Sequence, residues 1–269
     1  MDTQNSTSTA TVKSKSSLKS SLANFFSDVY DVYRFIVRFF KEAFVPPYEF
    51  QELLKQCYEV GVRSLLLISV TGFIVGLIFT KQSRPSLLQF GATSWIPSLV
   101  SIAIMRALAP LVTALISAGR VGSSIGAELG SMRVTEQIDA MEVSGTKPFK
   151  YLVCIRVLAT TIAIPVLAIF NGLVSMLGGY LNVAVNEGTS FSTYVQQFFQ
   201  PLAFIDFESS IIKSMVFGFT IGIVGTYKGW NSSSGTAGVG KAANSAVVTA
   251  MFLVFIEEVI IVQITGWFR

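Results

Sequence analysis

The chain has 269 residues, of which 51% are hydrophobic and only 13% charged, with a net charge of +4. A water-soluble domain of this size carries about twice that charged fraction, so the composition excludes an ordinary soluble globule. Five membrane-spanning helices of about 20 residues each, with loops between them, fit the length. Histidine is absent, which excludes Ser-His-Asp and Cys-His catalysis, His-ligated zinc and any imidazole proton relay. The two cysteines, Cys57 and Cys154, stand far apart in apolar surroundings and read as small buried hydrophobes.

Residues 1–22 are rich in Ser and Thr and carry Lys13, Lys15 and Lys19 without a large apolar run. They predict a disordered polar tail and no cleaved signal peptide. A transit peptide shares some of this composition but would carry arginines, which are lacking here. Over residues 23–60 two amphipathic stretches follow. In the first, Phe25, Phe26, Val29, Tyr30, Tyr33, Ile36, Val37, Phe40 and Phe44 recur at helical spacing, with charged residues between them. An aromatic face opposite a charged face predicts a helix lying in the membrane interface. Pro46-Pro47 ends it, and Tyr48 to Tyr58 leads into the first span.

Residues 61–269 hold five apolar segments, near Val62–Thr80, Ile96–Ser117, Tyr151–Tyr180, Ser210–Tyr227 and Ala243–Trp267. The fold class expected is an all-α integral membrane protein, with an interfacial N-terminal helix and five spans. Pro165 is expected to kink the third span. Arg120, Arg133, Lys147 and Lys150 crowd the connection between spans two and three, whereas Leu181 to Ser209 has no Lys or Arg. With the basic tail, and Lys228 and Lys241 on the fourth connection, this places the N-terminus in the cytoplasm, although Lys81 and Arg84 oppose the rule.

The connection after span two carries the densest signal. Gly122, Gly126 and Gly130 recur every four residues after Ala118, a smooth stripe that lets another helix approach closely. Thr135 is a candidate N-cap for a short helix running through Glu136, Gln137, Ile138, Asp139, Met141 and Glu142 towards Gly145 and Pro148. Its acidic side has the shape of a docking peg for a partner; a plain solvated loop helix is the alternative. Gly235 to Ala242 matches a phosphate loop except that Ala242 stands where Ser or Thr is needed, and no strand leads into it. Nucleotide binding is therefore rejected, and Lys241 is read as an anchor on a glycine-rich turn.

Ionisable residues inside spans form the last signal: Arg106, Lys213, Glu257 and Glu258, with Arg156 at the start of span three. Each costs about 2.5–3.5 kcal/mol at the bilayer centre, so they face a cavity or each other. They read either as a polar patch on a substrate path or as structural ion pairs, with snorkelling open to Lys213 and Arg156. An intramembrane enzyme is disfavoured, since adjacent Glu257 and Glu258 do not face one another on a helix. No metal, cofactor or nucleic acid is expected.

The run from Ser117 through EQIDAMEVSGTKPFKYL to Ala159, together with Arg106–Pro110, Ile211–Phe219 and Ala237–Val248, resembles the MlaE/YrbE permease family. The likeness covers about Phe25 to the C-terminus. It implies the membrane subunit of an ABC transporter that moves phospholipid in the bacterial inner membrane: a homodimer gripping two ATPase subunits, beneath a periplasmic MCE-domain partner. A STAS-domain regulator accompanies some members. By the same likeness the helix at Glu136–Glu142 couples to the ATPase, and an outer-facing cavity between two copies holds acyl chains. A non-transporting scaffold that anchors the MCE protein and the ATPase is the competing reading. The family often has Arg-Glu-Leu-Gly-Pro where this chain has Arg106-Ala107-Leu108-Ala109-Pro110, and an Asp in the last span where Glu257 and Glu258 stand. One of those glutamates is therefore expected to compensate Arg106.

Overall fold

The computed structural model describes Ser27 and residues 29–46, 49–233 and 235–267. The expected disordered tail, and Phe25 and Phe26 of the interfacial helix, lie outside the described residues. Two compact units are present, residues 1–46 and 47–269, and every described element is helical, with no strand among the described residues.

In the first unit, helix α1 covers residues 29–43. Its buried stripe is Phe35, Phe39 and Ala43, while Tyr30, Tyr33, Phe40 and Phe44 are exposed. The helix thus has two aromatic faces where the pattern suggested one, because Phe35 and Phe39 repeat at i,i+4 on the side opposite Tyr33.

The second unit contains five helices long and apolar enough to cross a membrane. Helix α2 is Phe50–Gln89, α3 is the continuous run Thr93–Val134, α5 is Phe149–Glu187, α7 is Phe204–Trp230 and α8 is Thr236–Trp267. Two short helices join them: α4, Gln137–Val143, and α6, Phe191–Phe199. The spans outrun the apolar windows at their ends, since nothing stops a helix at the headgroup boundary when polar helix formers continue the pattern. At about 1.5 Å per residue, α2 and α3 are each about 60 Å long, roughly twice the hydrocarbon thickness. Arg63 and Arg84 of α2 are about 31 Å apart along the axis, which brackets one hydrocarbon layer.

Helix α5 is the most buried span and α8 the least. Helices α2 and α7 pack along α5, and α8 packs on α7 and on the distal part of α3. Without water inside a bilayer, close van der Waals contact drives such packing, and small residues permit it. The buried stripe of α2 is Val60, Ser64, Ile68, Gly72, Gly76 and Thr80, one residue every fourth position. A Cβ at Gly76 would lie 1.9 Å from the Ser175 carbonyl oxygen, and one at Gly178 would lie 2.1 Å from that of Phe73. On α8 the stripe is Gly238, Ala242, Ala246, Ala250 and Val254. Helix α5 runs unbroken through Pro165.

The segment between spans three and four, expected as a loop from Leu181, is mostly helical. Span three continues to Glu187 and α6 follows. Ser190 caps α6, accepting from the Thr193 backbone N–H at 3.3 Å. Tyr194 and Phe198 of α6 are fully buried in a core with Ile96, Val100, Ile104 and Met176. Burial pushes the Tyr194 phenol well above its ordinary range.

Candidate functional site

Three turns of this unit are π-helical: Ile104–Leu108 and Ala118–Gly122 in α3, and Phe149–Cys154 at the start of α5. Such turns insert one residue into a helix, re-aim the side chains around them and recur at functional sites. Arg106 lies in the first and Arg120 in the second.

Arg106 pairs with Asp206, in the first turn of α7. Its Nη2 donates to Oδ2 at 2.9 Å, and its Nε lies 2.9 Å from Oδ1. Asp206 is fully buried and also accepts the backbone N–H of Ala203 at 3.0 Å, which closes the N-terminus of α7. The expected partner of Arg106 was Glu257 or Glu258, and the structure overturns that pairing. Glu258 Oε1 instead accepts from Lys213 Nζ at 2.9 Å. Glu257 accepts from the Thr220 hydroxyl at 2.5 Å. Adjacent positions point about 100° apart on a helix, so the two glutamates meet different residues of α7.

Lys213 is only 3% exposed and does not snorkel. Besides Glu258 it donates to the Arg106 backbone carbonyl at 3.0 Å. That carbonyl precedes Pro110 by one turn, and proline has no N–H to offer it. The ammonium therefore fills a vacancy that Pro110 creates, and it links the Arg106–Asp206 pair to Glu258. Arg106, Asp206, Lys213 and Glu258 thus tie α3, α7 and α8 together at membrane depth. Arg106 is the accessible member, 30% exposed against 0% for Asp206, so the network presents one guanidinium to its surroundings and neutralises the rest internally.

Next to this end of the bundle lies an apolar cavity of about 1030 Å³, between the end of α2, the start of α3 and α6. Leu87, Trp95, Leu99 and Ile102 supply its greasy wall, and Ser98 and Gln197 its polar points. Ser98 Oγ donates to the Gln197 carbonyl at 3.0 Å and so fastens α3 to α6.

At the opposite end, α3 runs on past the bilayer to carry α4. Gly126 faces Ala242, Ala243 and Ala246 of α8, Gly130 faces Ser232 and Val239, and Gly122 approaches Ile221 of α7. A Cβ on Gly229 of α7 would lie 2.7 Å from Leu129 Cβ and 3.0 Å from the Gly126 carbonyl. The long arm of α3 is therefore held against α7 and α8 by backbone-close contact.

Helix α4 does not begin on Thr135. Thr135 Oγ1 donates back to the Ser131 carbonyl at 2.9 Å, and Glu136 turns the corner in the left-handed region at φ 58°. Among the described residues it is the one non-glycine with positive φ, a conformation that costs about 1 kcal/mol for an L side chain. Ile138 of α4 is fully buried among Val121, Ile125, Leu129 and Leu152. Glu136, Gln137, Asp139 and Glu142 are exposed, and Met141 half-buried. Arg133 Nη1 donates to Asp139 Oδ1 at 2.6 Å and braces the helix against its own arm.

Gly235 to Ala242 enters α8 as helix from Thr236. Lys241 therefore sits inside a helix and not on a turn, and no phosphate-cradling loop forms there. Arg156 is buried, donating to Glu128 at 2.7 Å and to the Leu152 carbonyl at 2.9 Å. Sequence reasoning missed Asp206. Its signal was an aspartate at the third helical position ahead of an apolar run, a capping position that also falls beside the membrane.

Residues 53–264 match the family model described as Permease MlaE. A probable ABC transporter permease protein of Rickettsia typhi is 37% identical over 219 residues, covering 81% of this chain and 85% of that protein. One from Synechocystis is 39% identical over 209 residues, 76% and 78% of the two chains. One from Pyropia yezoensis is 35% identical over 209 residues, 78% and 80%. A five-span helical unit with small-residue seams and a pinned connecting helix, matched over this length, belongs to the MlaE permease family: the chain is a multi-pass membrane permease of the ABC-transporter type.

Proposed function

We propose that this permease moves phospholipid between a bacterial inner membrane and a periplasmic MCE-domain partner, driven by a separate ATPase that docks on α4. The observation that carries the reading is the build of α4: Ile138 pins it in the core while Glu136, Gln137, Asp139, Met141 and Glu142 face outward or half-outward. A partner can shift a permease only through contacts that differ between the partner's states. A knob fixed to the long arm of α3 transmits such a shift to the whole span, because Gly126 and Gly130 of the arm and Gly229 of α7 seat it closely against α7 and α8.

Basic residues around α4 and the basic N-terminal segment support a cytoplasmic α4 and a cytoplasmic N-terminus. The apolar cavity then opens on the other side, where its volume and walls suit acyl chains. Arg106, held by Asp206 and half-exposed beside the ionic network of Lys213 and Glu258, suits a phosphate passing that level. The remaining assignments rest on the family resemblance: a homodimer, a periplasmic MCE-domain protein, the STAS-domain protein that accompanies some members, and ATP hydrolysis in the partner.

The test replaces Glu136 and Asp139 by Lys in the assembled complex and follows transfer of labelled phospholipid. Transfer is expected to fall at least about tenfold, while the isolated permease loses no more than about 1 kcal/mol, as befits exposed charges. Full transfer by a complex that still assembles would leave the scaffold reading in its place.

A further inference from the structure

A second cavity, of about 610 Å³, opens between the first turns of α2, the distal half of α3 and the start of α5. Four cations and three carboxylates line it. Three pairs account for six of them: Glu52 with Lys55 at 3.5 Å, Glu59 with Arg63 at 2.6 Å, and Glu128 with Arg156 at 2.7 Å. Arg120 is left over. Among the described residues no carboxylate lies within ion-pair distance of it, Glu59 acting on it only at longer range beside Arg63, and its Nη1 donates to the neutral hydroxyl of Ser64. That hydroxyl spends its own proton on the Val60 carbonyl at 2.6 Å, so it acts toward Arg120 purely as an acceptor.

Position and backbone both single Arg120 out. Along α3 it stands about 37 Å from Trp95, beyond one hydrocarbon thickness and within the headgroup layer. It also lies in the π-helical turn Ala118–Gly122, which redirects it towards α2. Ser124 and Tyr151 line the same cavity, and their hydroxyls are donors as well as acceptors. A half-buried guanidinium with no ion-pair partner among the described residues, in a cavity also lined by Ser124 and Tyr151, has the donor set of a phosphate site.

We propose that this cavity binds a phosphate-bearing anion, with Arg120 as its principal ligand and Ser124 and Tyr151 as auxiliary donors. The group is supplied either by the phosphodiester of an anionic lipid headgroup or by a soluble phosphate. The site lies at the opposite end of the bundle from Arg106 and the large apolar cavity, so it is separate from the proposed transport path.

The full chain in phosphatidylcholine nanodiscs doped with phosphatidylglycerol would be examined by native mass spectrometry for the phosphatidylglycerol it retains. A parallel arm titrates inorganic phosphate into discs of phosphatidylcholine alone. Retention of phosphatidylglycerol over phosphatidylcholine is expected, and Arg120→Gln should weaken it roughly tenfold, the scale of one charge-assisted bidentate contact. Arg120→Lys should keep part of it. Ser124→Glu, at an exposed position that leaves the fold intact, should weaken it as strongly by offering Arg120 an internal carboxylate. Binding of inorganic phosphate that Arg120→Gln abolishes, without lipid retention, supports the site and assigns it a soluble source. Equal retention by wild type, Arg120→Gln and Ser124→Glu, or no selective binding in either arm, overturns the proposal. No ATPase takes part, so failure here leaves the coupling role of α4 untouched.

Discussion

Replacing Asp206 by Asn isolates the charge of the Arg106–Asp206 pair while keeping its shape. The amide retains one oxygen for the Ala203 N–H that Asp206 accepts at 3.0 Å, so the cap survives and only the ion pair is lost. Removing one partner of a buried pair costs about 3–5 kcal/mol because the other charge is stranded. Asp206 is fully buried but Arg106 is 30% exposed, so water partly relieves the arginine and the lower end, about 3 kcal/mol, applies. That is roughly a hundredfold in the folded-to-unfolded ratio. Asp206→Ala also removes the cap and costs about 1 kcal/mol more. The assay is reversible unfolding of the full chain in mixed micelles, followed by tryptophan fluorescence. In the double variant with Arg106→Met no charge is stranded, so the combined loss should fall about 2 kcal/mol short of the sum. Arg106→Met and Glu258→Gln should show a smaller coupling, since Glu258 bonds Lys213 and reaches Arg106 only through it. A loss below about 0.5 kcal/mol for Asp206→Asn, or strict additivity with Arg106→Met, would refute the pairing as an energetic unit.

Three further outcomes follow from the geometry. Gly76→Ala drives a Cβ to 1.9 Å from the Ser175 carbonyl oxygen and should lower stability by about 2–3 kcal/mol, whereas Gly61→Ala, with nothing within 4 Å, should stabilise by up to about 1 kcal/mol. Thermal denaturation of the two variants side by side checks the contrast. Lys213→Met strands Glu258, which is 13% exposed, and should cost about 3 kcal/mol in the same unfolding assay; adding Glu258→Gln should return about half of it. The Tyr194 phenol ionises later folded than unfolded, so its effect on stability is flat below the ordinary phenol range near pH 10 and declines above it as the unfolded state alone sheds the proton. Tyr194→Phe should remove that alkaline decline from the pH dependence of unfolding.

The five spans were legible because an apolar run of about 20 residues has one low-energy outcome in a bilayer, a helix that satisfies its own backbone. The glycines at 122, 126 and 130 were visible as a stripe for the same reason that helical period is visible anywhere. The partner of Arg106 was not. Arg106 and Lys213 against Glu257 and Glu258 balance to zero without Asp206, so charge counting within the spans pointed to the last helix. Asp206 stands in the first turn of α7, where its sequence surroundings read equally as a cap and as a loop. Helix α6 was hidden by its length, since nine residues carry only two buried aromatics, Tyr194 and Phe198.

The sequence by itself thus determined that the chain belongs in a membrane and that five of its helices are long and apolar enough to cross it. Each of these depends on local free energies of transfer that sum residue by residue. Only the tertiary structure decided which charges neutralise one another. It joined Arg106 to Asp206 and Lys213 to Glu258, and it left Arg120 in a cavity whose three carboxylates pair with other cations. Ion pairing at membrane depth depends on distances of a few ångströms between helices far apart in the chain. Those distances are set by the small-residue seams that bring the helices together.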